Sequence, residues 1–189
     1  MNWNGQSFSS AWVAIAGSGG VNEIFQIGLL KCQSTGCASA TQFVWAYGRQ
    51  ATACGVALAP SAHVIGSSGT SNHRYTITKS STQYAAQIDG VEKKVESISA
   101  IETCWINGSR HAEFEDEVAD HNDQSGGQIS SGFQQHWTGA KYQDTSGLAW
   151  HAMNEPLNVG CTINQLTTQK CQMSPVSHDA FRTWDNRFP

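Results

Sequence analysis

Gln83-Tyr84-Ala85-Ala86-Gln87-Ile88-Asp89-Gly90-Val91-Glu92-Lys93-Lys94-Val95-Glu96-Ser97 is the stretch that decides the fold class. Two runs of strand length flank Asp89-Gly90, a pair that accepts left-handed backbone at both positions and so predicts a two-residue β-hairpin loop. Asn107-Gly108 separates two further runs and predicts a second hairpin. Outward from these turns, strand-like runs recur at Ala11 to Ile15, Glu23 to Leu30, Gln42 to Tyr47, Arg74 to Thr78, Thr103 to Ile106 and His111 to Val118. Gly17 to Gly20, Gly66 to Ser71 and the polar excursion Ala119 to Ser131 read as loops. Phe133 to Trp137, Leu148 to His151 and Phe181 to Trp184 read as later strands of less regular alternation. Helical periodicity is almost absent. The expectation is an all-β chain, and with no repeat or linker to divide its 189 residues it reads as one β-sandwich domain over 1–189.

Two of these strands carry polar groups out of an apolar alternation. In Ile24 to Leu29, side-chain alternation groups Phe25, Ile27 and Leu29 as a core face and leaves Gln26 with Ile24 and Gly28 on the other. In Ala112 to Val118 the same rule groups Glu113, Glu115 and Glu117, opposite Ala112, Phe114, Asp116 and Val118. Like charges crowded in a partly desolvated groove raise the pKa of at least one carboxyl, which then can carry a proton in mild acid. A carboxyl and a carboxamide facing one groove suffice to activate water and hold an oxyanion. The plain alternative is a solvated glutamate face and a polar residue on a half-exposed strand.

Composition excludes several classes. Charged residues make up only 14% of the chain and the net charge is -4, so there is no basic patch for nucleic acid and no stripe for an anionic membrane. No apolar run approaches the ~20 residues of a membrane span. The N-terminus lacks the charged and apolar regions of a secretory signal, and Met1 is expected to belong to a removed or added N-terminal segment. Six cysteines (Cys32, Cys37, Cys54, Cys104, Cys161, Cys171) favour disulfides in an exported protein. Cys32 with Cys37 and Cys161 with Cys171 would close short loops and leave Cys54 with Cys104, but other pairings are equally open, as are free thiols. Asn107-Gly108-Ser109 is a glycosylation sequon if the source is eukaryotic. The acids Asp116, Glu117, Asp120 and Asp123 lack the spacing of a calcium loop and read as a solvated turn. The histidines are scattered, so neither a metal nor another cofactor is expected.

Aromatic residues add a third element. Trp12 falls on the face of its strand opposite Ala11, Val13 and Ile15, while Phe43, Trp45 and Tyr47 share a side of theirs. Such rings line a cleft or fill a core.

Ser10-Ala11-Trp12-Val13-Ala14-Ile15 resembles the Ala-Trp-Val-Gly-Ile strand of the glutamic peptidases of the eqolisin family, and Ile24-Phe25-Gln26-Ile27-Gly28 resembles their Leu-Gln-Thr-Gly strand. Ala112 to Glu117 resembles the strand that ends in their catalytic glutamate, with fainter likeness at Asn2-Trp3 and at Gln42 to Tyr47. The resemblance covers roughly residues 1 to 120. It implies a concanavalin-like sandwich of two curved antiparallel sheets of jelly-roll type, secretion, and a monomeric acid endopeptidase acting on polypeptide. It implies Gln26 and Glu117 as the catalytic dyad, Trp12 beside them, and Trp45, Tyr47, Glu113 and Glu115 along the substrate groove. Where the family carries acids or a Tyr-Glu pair, this chain has Ala16, Leu30 and Ala46-Tyr47. A non-catalytic module that stacks glycan or binds protein on Trp12, Trp45 and Tyr47 is the second reading. A polysaccharide-cleaving enzyme that uses carboxylates and a tyrosine is the third.

Overall fold

A computed structural model of the chain describes residues 8–17, 24–32, 44–50, 52–53, 56–57, 61–69, 71–102, 110–118, 127–128, 135–143, 149–152, 171–177 and 180–185. These form strands with a single short helix among them, and every registered pairing but one is antiparallel, so the described part of the chain is all-β. The chain divides into two compact units, Met1–Glu115 and Asp116–Pro189.

The first unit is built on β1 (Phe8–Gly17), β2 (Ile24–Cys32), β3 (Val44–Gln50) and β6 (Ser61–Ser67), with β10 (Arg110–Val118), whose last three residues belong to the second unit, next to β1 in the sheet order β10-β1-β2-β3-β6. A two-residue pair, β4 (Thr52–Ala53) with β5 (Val56–Ala57), fills part of the connection to β6. A three-stranded meander follows: β7 (Tyr75–Lys79), β8 (Gln83–Ile88) and β9 (Val91–Ser97).

The core lies between this meander and β2. Phe25 and Ile27 from β2 are fully buried with Tyr84, Ala86 and Ile88 from β8, and Ile15, Ile65, Tyr75 and Ile77 pack around them. Of the face that alternation assigned to the core on β2, Phe25 and Ile27 pack here while Leu29 is only half-buried, and Leu30 on the other face is buried as well. Tyr84, Ala86 and Ile88 share the face of β8 that enters this core, and Ala85 on the other face is buried too.

The hairpin between β8 and β9 has the predicted loop, with Ile88 paired to Val91 and positive φ at both Asp89 (54°) and Gly90 (79°). Directly after β9 the chain turns into α1 (Ile98–Glu102). Ser97 caps it by accepting the Ala100 N–H at 3.1 Å, and Ile98 and Ile101, three residues apart, reach the core on one face.

In the second unit, β16 (Ala180–Asp185) is the organising strand. It pairs antiparallel with β15 (Cys171–Ser177), and also with β12 (Gln135–Trp137) through residues 181–183 and β11 (Gly127–Gln128) through residues 184–185. A strand has two edges, so the two short segments share one and β15 takes the other. Trp137 and Phe181 are directly paired, buried, and stacked with centroids 5.7 Å apart. A separate hairpin pairs β13 (Lys141–Gln143) with β14 (Trp150–Ala152).

The strands expected at 11–15, 23–30, 42–47, 74–78, 111–118, 133–137, 148–151 and 181–184 fall on β1, β2, β3, β7, β10, β12, β14 and β16, with shifted ends. The run expected at 103–106, the Asn107-Gly108 hairpin and the pairing of the cysteines lie outside the described residues. No helix among the described residues is long and apolar enough to cross a membrane.

Candidate functional site

Gln26 projects from β2 away from the core that Phe25 and Ile27 enter. Its row in the sheet is set by register: Ala14 of β1 on one side and Gly48 of β3 on the other. Neighbours carrying one methyl group and none leave the carboxamide flanked by little bulk. The residue is half-buried, as is Ile24 in the next row toward the end of the strand. In the other direction the same face is closed, with Trp12 and Leu30 buried, and Ala14 in Gln26's own row is buried too. Gln26 thus stands at the border between the covered and the accessible part of this face.

Trp12 occupies the adjacent row, opposite Gly28. Strand geometry puts it on Gln26's face at a diagonal distance of roughly 7–8 Å. The approach of β1 to β2 here is close. A Cβ on Gly28 would meet the Ala11 carbonyl, with Ala11 C at 2.9 Å and Trp12 Cα at 3.0 Å. Trp12 itself is 1% exposed, so its ring braces this face instead of offering a surface to stack on.

Sheet order puts β10, the strand that carries Glu113, Glu115 and Glu117, next to β1. The side chains of these three glutamates lie outside the described residues, and so do those of Trp45 and Tyr47. By backbone register Trp45 pairs with Leu29 and Tyr47 with Ile27, the rows alternate to those of Gln26 and Gly28.

The sequence reading missed three polar clusters. In the first, Glu102 at the end of α1 accepts hydrogen bonds at one oxygen, Oε1, from the Lys79 ammonium (2.6 Å) and the Tyr84 hydroxyl (2.5 Å). The Lys79 ammonium also stands 5.4 Å from the Tyr84 ring centre. Tyr84 is fully buried, so its hydroxyl ties the helix to the sheet and is closed to any substrate.

The second cluster is at the hairpin turn. Asp89 accepts the Arg74 N–H at 2.9 Å through Oδ1 and faces His73 Nδ1 at 2.8 Å through Oδ2, and these bonds hold its carboxyl below the usual carboxylate range. In the third, the largely exposed His63 on β6 is held below the ordinary histidine value by partial desolvation, with Lys94 adding to the effect and Glu96 opposing it. Lys94 and Glu96 pair with each other at 3.2 Å. No contiguous sequence motif encodes these clusters; only the Ser97 cap and the Ile98/Ile101 spacing hint at the helix that delivers Glu102.

Among the described residues, no group of three or more His, Cys, Asp or Glu side chains gathers as a metal site. Comparison with protein-family models, with curated proteins and with solved structures finds no match to this chain.

Proposed function

We propose that the chain is a secreted acid endopeptidase, or a diverged relative of the glutamic peptidases, on a concanavalin-like sandwich, with Gln26 and Glu117 as its catalytic pair. The observation that carries this reading is Gln26 itself: a carboxamide at the accessible edge of a sheet face, flanked in register by Ala14 and Gly48, in the same sheet as the glutamate-bearing strand β10. Glu117 acts as general base toward the attacking water and then as general acid toward the leaving amine. Gln26 orients that water and donates its N–H to the oxyanion, which needs no change of protonation. Glu113 and Glu115, by charge repulsion, keep the shared proton on the site in mild acid.

The test is digestion of denatured protein at about pH 4, where a carboxyl retains part of its protons, with wild type, Glu117→Gln and Gln26→Ala. Loss of the oxyanion donor is expected to lower kcat by about 10²–10³-fold, and loss of the base by about 10²–10⁴-fold. A wild-type protein that cleaves while both variants cleave equally well refutes the dyad.

One observation favours a second reading, a glycan-binding module. Trp150 on β14 is 55% exposed and directly opposite Gln143, and Tyr142 stacks on His151 across the same hairpin at 5.4 Å. An inert wild type that binds a glycan panel, with binding lost in Trp150→Ala, would replace the peptidase reading with this one.

A further inference from the structure

The segment between β6 and β7 carries the chain from the five-stranded sheet to the three-stranded one, and His73 fastens it at two points. Its Nε2 lies 2.9 Å from the Ser68 carbonyl oxygen, which closes the segment on itself. Its Nδ1 lies 2.8 Å from Asp89 Oδ2 in the β8–β9 turn. Both partners are acceptors. A carbonyl oxygen has no proton to give, and a carboxylate whose charged form is held by the Arg74 N–H has none either. Only the doubly protonated ring, with an N–H on each nitrogen, satisfies both contacts. In either neutral tautomer one nitrogen turns its lone pair on an oxygen and that bond becomes a repulsion.

We propose that His73 is the protonation-dependent latch of this crossover: as imidazolium it ties Ser68 to the Asp89–Gly90 turn, and as neutral imidazole it releases one of the two attachments. The groups around the ring fit this role. Asp89 faces it from the turn, and the Arg74 guanidinium lies beside Gly90, with Nη2 3.6 Å from where a Gly90 Cβ would stand. The ring is mostly shielded, with its side chain 13% exposed, while the Asp89 carboxylate that faces it is half exposed. Ser68, whose carbonyl is the second anchor, is buried. Beside the latch the Asp89 N–H donates to the Arg74 carbonyl at 2.9 Å and the Arg74 N–H donates to Asp89 Oδ1, one step past the Tyr75–Ile88 pair, so releasing His73 weakens the start of the β7–β8 ladder. This device is independent of the Gln26 and Glu117 reading and operates whether or not that pair cleaves peptides.

The Arg74 amide, bonded to Asp89, reports the state of the latch. Hydrogen exchange of the whole chain, corrected for the intrinsic pH dependence of exchange, is expected to show Arg74 protection falling on the order of tenfold between about pH 5 and about pH 8, the equivalent of losing one charge-assisted hydrogen bond. In His73→Gln, which carries no titratable proton, protection should be lower and flat with pH. Nitrogen-15 spectra of the histidine side chains provide an arm that needs no variant: with the latch closed, both nitrogens of His73 should show the shifts of protonated imidazolium. Asp89→Asn, which keeps an acceptor for Arg74 but removes the charge, should flatten the pH dependence if His73→Gln does not fold. Wild-type protection that stays flat across that pH range overturns the proposal. So does a His73 ring that is a single neutral tautomer with both contacts intact, or a variant with the wild-type pH response.

Discussion

Replacing Tyr84 by Phe isolates one bond. The ring keeps its place among Phe25, Ile27, Ala86 and Ile88, including the tilted contact with Phe25 at 6.5 Å, and only the hydroxyl that donates to Glu102 is lost. A hydrogen bond to a charged acceptor contributes about 1.5–3 kcal/mol. Glu102 retains its Lys79 partner and its side chain is 19% exposed, so water recovers part of the loss and the expected cost sits near the lower end, about 1.5–2 kcal/mol. Glu102→Gln leaves an acceptor oxygen but removes the charge that strengthens both bonds. The two substitutions are expected to couple by about 1 kcal/mol in a double-mutant cycle, as residues sharing one bond do. Since the chain has two compact units, exchange of the buried β8 amides measures the stability of the unit concerned. A Tyr84→Phe cost below about 0.5 kcal/mol, with coupling inside the ~0.3–0.5 kcal/mol scatter of independent sites, would refute the claim that this cluster holds α1 to the sheet.

Two further outcomes follow from the geometry. Gly28→Ala should destabilise the first unit by about 3 kcal/mol, the upper end of ordinary overpacking, because the obstructing atoms at Ala11 and Trp12 are backbone; Gly66→Ala, with open space around the added methyl, is the control and should shift the urea midpoint little. His63, whose charged form is disfavoured in the folded state, makes no difference above the ordinary histidine value of 6.5 and costs stability as the pH falls below it; urea midpoints of His63→Gln should match wild type above that value and exceed it below.

Much of the first unit was legible because its signals are local. Alternation in β2 named Phe25 and Ile27 as core, and Asp89-Gly90 demanded the left-handed pair that the turn contains. Elements without such signals escaped. β6 carries His63, Val64 and Ile65 in succession and is partly exposed, so no period of two emerges. β13 is exposed at every position, and β15 contains Pro175, a residue that argues against a strand and coincides here with a shift of register. The short helix after Ser97 falls between two expected strands and gives no signal of its own, since five residues are too few for helical periodicity. At the candidate site, alternation separated Gln26 from the core correctly, but the enclosure of Trp12 depends on how β1 lies against Gly28, which involves residues far apart in the chain.

The second unit hangs on a strand that arrives last. β11, β12 and β15 all precede β16 in the chain, and each forms its ladder with that strand. During synthesis these three segments emerge from the ribosome with their backbone edges bare, Trp137 among them without Phe181 to cover it, and wait for residues 180–185 to be made. The interval is a window for mispairing with other nascent chains, and it closes when the hub strand docks.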